Sequence, residues 1–285
     1  MFLADQWEDF RVLDAGGGMK LERWKQVTLL RPDPQAVWPM LQYAADAVYL
    51  RSDSGGGHWE FQTQLPEQWT IQYRDLSFIV RPTGFKHTGL FPEQAVNWDW
   101  MRGELDRWKQ KYGRAPKVLN LFAYTGGATV ACAAAGAEVV HVDAAKGMVA
   151  WAKNNAEASG LGGAFIRYIV DDCVKFVQRE LRRGSKYDGI VMDPPSYGRG
   201  PTGELWKIED DLYPIVADCA ALLSDTPAFF LINSYTTGLA PSVLKNVLRV
   251  ALPAGSVVSD EVGLPIERDH LTLPCGASGR WTPKG

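Results

Sequence analysis

The segment Asp193-Pro194-Pro195-Ser196-Tyr197-Gly198-Arg199-Gly200 is the most distinctive in the 285-residue chain. Two consecutive prolines stiffen the backbone and remove two N–H donors, so the carbonyls and the Asp193 carboxylate form a cluster of acceptors. Tyr197 adds a flat face. Acceptors beside an aromatic ring suit a planar substrate bearing an N–H, such as a nucleobase stacked on the ring. Asp193 and the Pro194 carbonyl are therefore expected to orient the acceptor and Tyr197 to stack on it. Pro195 and Ser196 belong to the same turn and are read as substrate contacts. Arg199, between glycines, is read as a phosphate contact at the mouth of the site.

Three further segments carry chemistry of a complementary kind. Gly126 and Gly127 follow an apolar run and let the backbone turn tightly and approach a ligand, while the helix behind them offers free N–H groups to an anion. Asp143 lies sixteen residues after Gly127, where a carboxylate can accept both hydroxyls of a ribose. Asp171-Asp172 can accept from an adenine amino group. A Gly-Gly turn alone is usually only a turn, and an Asp at a strand end is more often a cap than a ligand; four such segments in this order are far more specific. A dinucleotide fold would show G-x-G-x-x-G at the first turn. The chain has Thr125-Gly126-Gly127-Ala128-Thr129-Val130 instead, which argues against a nicotinamide dehydrogenase.

These segments must sit on a regular scaffold, and the pattern predicts one. Strands are expected at 118–122, 138–143, 166–170, 187–192 and 228–233. Helices are expected at 129–135, 146–159, 174–183, 208–223 and 241–251. Two closing strands are expected near 257–262 and 270–273. Strands alternating with helices indicate βαβ units and a parallel sheet, with an antiparallel edge from the terminal pair. Ligands then belong at the carboxyl ends of the strands, where all four segments fall. Residues 1–82 differ: they are rich in Trp, Gly and Pro, with short β-like runs such as 21–24 and 71–73, and with turns at Gly16-Gly17-Gly18, Pro32-Asp33-Pro34 and Gly55-Gly56-Gly57. One helix-like stretch is expected at 35–45. The reading is α/β: a small, mostly β domain over 1–82 (which the resemblance given below implies to help hold substrate), a connector over 83–116 with a helix at 95–112, and a ligand-binding domain over 117–285.

On these motifs the chain resembles the class I S-adenosylmethionine-dependent methyltransferases. It is most similar to the group containing the large-subunit ribosomal RNA methyltransferases of the I and K types, over about residues 84–285 and only loosely before them. The resemblance implies a seven-strand Rossmann-like sheet and a bound S-adenosylmethionine, with S-adenosylhomocysteine as product. It places Asn120, Phe122, Ala123, Tyr124, Thr125, Gly126 and Gly127 in the first cofactor motif, Asp143 in the second, and Asp171, Asp172 and Cys173 in the third. The acceptor motif is Asp193 to Tyr197. In the segment Gly89 to Ala95, Gln94 matches a cofactor-contacting position of the family, whereas Ala95 replaces its Arg.

Members of the group that make 5-methylcytosine carry a Cys after strand five, because the unreactive ring carbon needs a thiolate to add beside it first. Here that stretch reads Ile232-Asn233-Ser234-Tyr235-Thr236-Thr237-Gly238, without Cys. Cys275 is the odd candidate and is read as packing. The favoured chemistry is direct transfer to a base nitrogen or amine, in which alignment is most of the catalysis. Tyr235 is read as a substrate contact. His58 is read as an exposed loop residue and His87 as lying beside the cofactor segment. Alternatives are a methyltransferase for a protein or a small-molecule amine, and a binding module that kept the fold and lost the chemistry.

Composition bounds the rest. Hydrophobic residues are 46% and charged residues 22%, ordinary for a folded chain. Four scattered cysteines without a C-x-x-C pair argue against a disulfide scaffold and a structural zinc. No run approaches membrane-spanning length, and Met1–Phe10 holds three acids and no base, unlike a targeting peptide. The expected compartment is the cytoplasm, and the expected partner is RNA, with no membrane and no metal; the sequence admits a homodimer. Net charge is −3, which excludes a uniformly basic protein but not a local basic face. Residues 102–117 hold six bases against two acids, and Arg179, Arg182, Arg183 and Lys186 form a second cluster, whereas residues 1–82 hold eight bases and eleven acids.

Overall fold

The computed structural model describes residues 1–52, 56–199 and 205–284. They pack as two compact units, Met1–Val96 with Val262–Cys275, and Asn97–Glu261 with Gly276–Gly285.

The first unit is β-rich. It contains β1 (Phe2–Leu3), β2 (Phe10–Gly16), β3 (Met19–Trp24), β4 (Val27–Pro32), β5 (Ala47–Arg51), β6 (Gly57–Phe61), β7 (Trp69–Tyr73) and β8 (Leu76–Val80). Strands β2 to β6 form one sheet in chain order, and β7 and β8 a separate antiparallel pair. Buried residues alternate with exposed ones in β7 and with half-buried ones in β8, as in a sheet with one covered face. Strand β1 pairs in parallel with Val262 and Gly263. Inside the unit, Arg31 donates to both carboxylate oxygens of Glu22 at 2.6 and 2.8 Å.

The helix expected at 35–45 does not form. Pro39 in its middle removes a donor and clashes with the preceding turn. The backbone groups of this stretch find partners outside it: Leu41 and Gln42 donate their N–H to the Asp14 carboxylate, each at 2.9 Å, and the Ala36 and Trp38 carbonyls accept from Gly18 and Gly17.

The helix α1 (Ala95–Tyr112) leads into the second unit. There follow β9 (Lys117–Leu121), α2 (Gly127–Ala134), β10 (Glu138–Asp143), α3 (Lys146–Ala158), β11 (Ile166–Val170), α4 (Cys173–Arg183) and β12 (Gly189–Met192). A two-stranded hairpin comes next, β13 (Tyr197–Arg199) and β14 (Leu205–Lys207), then α5 (Ile208–Ala221), β15 (Phe229–Ser234), α6 (Pro241–Ala251), β16 (Gly255–Pro265) and β17 (Thr272–Pro283). The sheet order is β16-β17-β15-β12-β9-β10-β11. Strands β9 to β12 and β15 run parallel, and β17 is antiparallel to β15. All residues of β12 and β15 are buried, as expected for central strands covered on both faces. The direction of strand addition reverses between β9 and β12, so a ligand crevice is expected above their carboxyl ends.

The last two strands are longer than their apolar runs suggested. Their glycines hide them: a Cβ at Gly279 would lie 2.8 Å from Leu248 Cδ1, and one at Gly276 would lie 2.8 Å from the Ser234 carbonyl oxygen. Close packing thus requires residues of low strand propensity. Residue His270, expected in a strand, lies in a 3-10 turn with Arg268 and Asp269.

Candidate active site

The loop after β9 is held in an unusual conformation. Phe122, Tyr124 and Gly126 have φ of 53°, 49° and 82°. Left-handed non-glycine residues cost about 1–3 kcal/mol each and persist where their surroundings over-determine them. Here the Phe122 N–H donates to Cys173 Sγ at 3.2 Å, Ala123 to the Val142 carbonyl at 3.0 Å, and Tyr124 to Asp143 Oδ2 at 2.8 Å. The Thr125 carbonyl accepts from Asn155 Nδ2 at 2.8 Å. Neither glycine has room for a side chain. A Cβ on Gly126 would lie 2.8 Å from Ala152 Cβ, and one on Gly127 2.8 Å from Trp98 Cζ2.

Beneath the loop, the buried Asn120 amide donates to Thr129 Oγ1 at 2.9 Å, which in turn hydrogen-bonds His141 Nδ1 at 2.9 Å. Burial pushes the His141 pKa down to about 4. The structure therefore places the Asn120 side chain in a buried network that supports the loop from below.

The acids divide by what they already hold. Asp143 accepts one backbone N–H on each oxygen, from Tyr124 and from Ala145, both at 2.8 Å. Asp172 caps α4 by accepting from the Lys175 N–H at 2.9 Å. Asp171 accepts from the Asp172 N–H and forms an ion pair with Arg179. Cys173 is buried, and that burial pushes its thiol well above the ordinary range.

The register Met192↔Leu121 sets Asp193 beside the start of this loop, and its N–H lies 3.4 Å from the Leu121 carbonyl oxygen. Pro194 is buried, and Pro195, Ser196 and Tyr197 are exposed. The Pro195 carbonyl accepts from Trp206 Nε1 at 2.6 Å, and the Ser196 carbonyl from the Ile208 N–H at 3.1 Å. Ser196 Oγ and Thr236 Oγ1 share a hydrogen bond of 2.6 Å, so the loop after β15 is joined to the proline turn. Asn233, at the end of β15, is buried and accepts from Asn97 Nδ2 and Ser278 Oγ at 3.1 and 2.7 Å. Tyr235 follows it, half-buried, with its ring against the chain at Gly276.

The loop residues Phe122 to Gly127, with Asp143, Cys173, Asp193 to Tyr197 and Tyr235, thus all belong to the second unit. Gln94 is buried in a 3-10 turn of the first unit. The Arg199 side chain, and residues Gly200 and Gly55, lie outside the described residues. His58 is exposed, with its ring 3.7 Å from the Glu60 carboxylate. His87 packs against Phe91 in the first unit, and burial pushes its pKa down to about 4. Cys275 donates to the Leu273 carbonyl, and burial pushes its thiol well above the ordinary range.

Several residues escaped the sequence reading. Ala152, Trp98 and Asn155 shape the loop 122–127 from helices 25 or more residues away, and nothing in the local pattern marks them. Trp206 sits on a strand too short to show periodicity. Its nearest sequence signal is its position eleven residues after Pro195, whose carbonyl it binds.

A parallel sheet reversing between β9 and β12, with a tight loop over β9 and a carboxylate ending β10, defines a Rossmann-like nucleotide-cofactor fold. The chain belongs to the S-adenosylmethionine-dependent methyltransferase family, whose model matches residues 45–234. It is 37% identical to an S-adenosylmethionine-dependent methyltransferase from Agrobacterium tumefaciens of known crystal structure; the two superpose with a TM-score of 0.92 over 99% of this chain and 93% of that one. It is also 32% identical over 200 residues to "Ribosomal RNA large subunit methyltransferase K/L" of Shewanella frigidimarina (strain NCIMB 400), covering 69% of this chain and 25% of the relative. With "Ribosomal RNA large subunit methyltransferase I" of Aeromonas salmonicida (strain A449) it shares 40% identity over 149 residues, 52% of this chain and 35% of the relative. The chain therefore matches only about a quarter to a third of the length of these two relatives.

S-adenosylmethionine is the family's cofactor, and the donor set fits it. Each Asp143 oxygen has spent one lone pair on a backbone N–H and keeps another for a ribose hydroxyl. Among the described residues there is no group of three or more His, Cys, Asp or Glu that could hold a metal ion. No described helix is long and apolar enough to cross a membrane.

Proposed function

We propose that this protein methylates a base nitrogen or amine in RNA, with ribosomal RNA as the substrate, by direct transfer without a cysteine nucleophile. The observation that carries the proposal is the acceptor turn. Its two prolines cannot donate hydrogen bonds, and the turn stands beside the loop 122–127 with the half-buried Asp193 at its start and the exposed Tyr197 at its end. The relatives named as ribosomal RNA methyltransferases support the choice of RNA. An RNA of the ribosome would set the reaction in the cytoplasm.

In this reading the loop 122–127 and Asp143 hold S-adenosylmethionine, with Asp171, Asp172 and Cys173 as further contacts. Bound there, it supplies a methyl group on a positively charged sulfur, which keeps the bond pair as the methyl leaves. The protein supplies alignment. The Asp193 carboxylate and the Pro194 carbonyl accept hydrogen bonds from the acceptor nitrogen and turn its lone pair inward. Asp193 receives the proton the nitrogen sheds, or passes it to water. Tyr197 stacks on the base, while Pro195, Ser196 and Tyr235 border it. The first unit helps to hold the RNA.

The cysteines favour direct transfer. Cys132, Cys173 and Cys219 are buried in the second unit, and Cys275 lies in the first. Burial pushes every one of these thiols upward, Cys132 to about 12, so a thiolate is disfavoured at each. The test is nucleoside mass spectrometry of ribosomal and transfer RNA from cells with and without the gene. Loss of one N-methylated nucleoside is expected. Loss of 5-methylcytosine would overturn direct transfer, and an unchanged nucleoside profile would overturn the RNA substrate in favour of a protein or small-molecule amine.

A further inference from the structure

A turn built on two prolines cannot tie itself down through its own amides. Pro194 and Pro195 have no N–H, so the turn has to be held by its carbonyls. The donors come from one short stretch. Trp206 Nε1 reaches the Pro195 carbonyl at 2.6 Å, and the Ile208 N–H reaches the Ser196 carbonyl at 3.1 Å. Trp206 also touches the other half of the site: its ring centroid lies 5.2 Å from that of Phe122, with the planes at 55°. Phe122 opens the cofactor loop and is itself held in the left-handed region.

Trp206 has a firm base for this double contact. It pairs with Gly198 across the β13–β14 hairpin. Its strand runs directly into α5, whose first residue, Ile208, is buried in the core. The Lys207 N–H is fixed by Asp211 Oδ2 at 2.7 Å.

We propose that Trp206 is a positioning residue that holds the acceptor turn in register with the cofactor loop, one atom of its indole fixing the turn and its ring packing against Phe122. The proposal rests on the acceptor-turn reading above. It makes the geometry at Asp193 and Tyr197 depend on the state of the loop at Phe122, with the indole adding a side-chain link to the backbone pairing of Asp193 with Leu121.

Two experiments decide it. In ¹⁵N-labelled protein the Trp206 indole signal is identified by its loss in Trp206→Phe. It is expected to exchange slowly with water and to shift when S-adenosylhomocysteine is added; fast exchange without a shift overturns the proposal. In the second, Trp206→Phe keeps a ring and loses the donor. Its affinity for S-adenosylhomocysteine is expected to stay within about twofold, while kcat for methyl transfer to ribosomal RNA from cells lacking the gene falls about three- to tenfold, the loss of one hydrogen bond. Trp206→Ala is expected to weaken S-adenosylhomocysteine about two- to tenfold as well, through the lost ring contact, with Trp206→Phe rescuing that part. A wild-type kcat in Trp206→Phe overturns the proposal. If the parent protein transfers nothing to that RNA, the RNA reading has failed, and the indole signal alone decides the role of Trp206.

Discussion

Gly126→Ala should be among the most costly single-methyl additions near the loop 122–127. Gly126 has φ +82°, a conformation that costs a residue with a Cβ about 1–2 kcal/mol. The new methyl would stand 2.8 Å from Ala152 Cβ and 3.3 Å from Ala152 Cα, against a carbon–carbon optimum of about 3.5–4.0 Å. Ala152 belongs to the body of α3 and has no rotamer to move into. Overpacking of this kind costs about 1–3 kcal/mol, so the total is about 2–5 kcal/mol, or a fall in Tm of roughly 4–20 °C. The chain can also escape by unwinding the loop, in which case part of the cost appears as weaker binding of S-adenosylhomocysteine. Melting and calorimetric titration should therefore be run on the same samples. Ala152→Gly removes the 2.8 Å contact with Cβ but leaves the 3.3 Å approach to Cα and the backbone strain, and adds about 1 kcal/mol of its own in the helix. In a double-mutant cycle the two changes should couple favourably by about 1–3 kcal/mol. A Gly126→Ala protein that melts and binds like its parent, or a cycle with no coupling, would refute the packing argument.

Asp143→Ala frees the Tyr124 and Ala145 amides and removes the ribose acceptor, so S-adenosylhomocysteine should bind about 10- to 100-fold more weakly by calorimetry; a change below about threefold would remove Asp143 from the cofactor site. Asp193→Ala and Tyr197→Ala should each lower methyl transfer about 100-fold with cofactor affinity kept within about threefold; full activity of both on the identified substrate would end the acceptor assignment. Burial holds His141 and His87 near pKa 4 against an ordinary value of 6.5. Between those values the unfolded chain binds more protons, so stability falls as pH drops from about 6.5 towards 4, by up to about 3 kcal/mol per histidine. Urea titrations of His141→Gln should show a shallower loss over that window, and an unchanged slope would exclude His141 as its source.

Much of the second unit was legible because its signals are local. Helices α1 and α6 and strands β10 and β11 begin and end where the apolar pattern does. Asp143, Asp171 and Asp193 are marked by standing where apolar strands stop. The stretch 35–45 misled because its apolar spacing is helical while Pro39 forbids the helix, and partners outside the segment then decide its course. Strands β16 and β17 were cut short because their glycines answer to distant side chains. Asn120 was recognised as part of a motif, but the direction of its amide, inward to Thr129, depends on what lies beneath the strand.

The chain's own order of residues was enough to establish the alternation of strands and helices, the acids at the strand ends and the proline turn. Each of these is encoded within a dozen neighbouring positions by periodicity, capping and backbone restriction. Folding in three dimensions alone decided which groups meet: Phe122 with Trp206, Gly126 with Ala152, Asn155 with the Thr125 carbonyl. Such pairs are separated by 26 to 84 residues. They are selected by how the layers of the unit pack, and no local pattern carries that information.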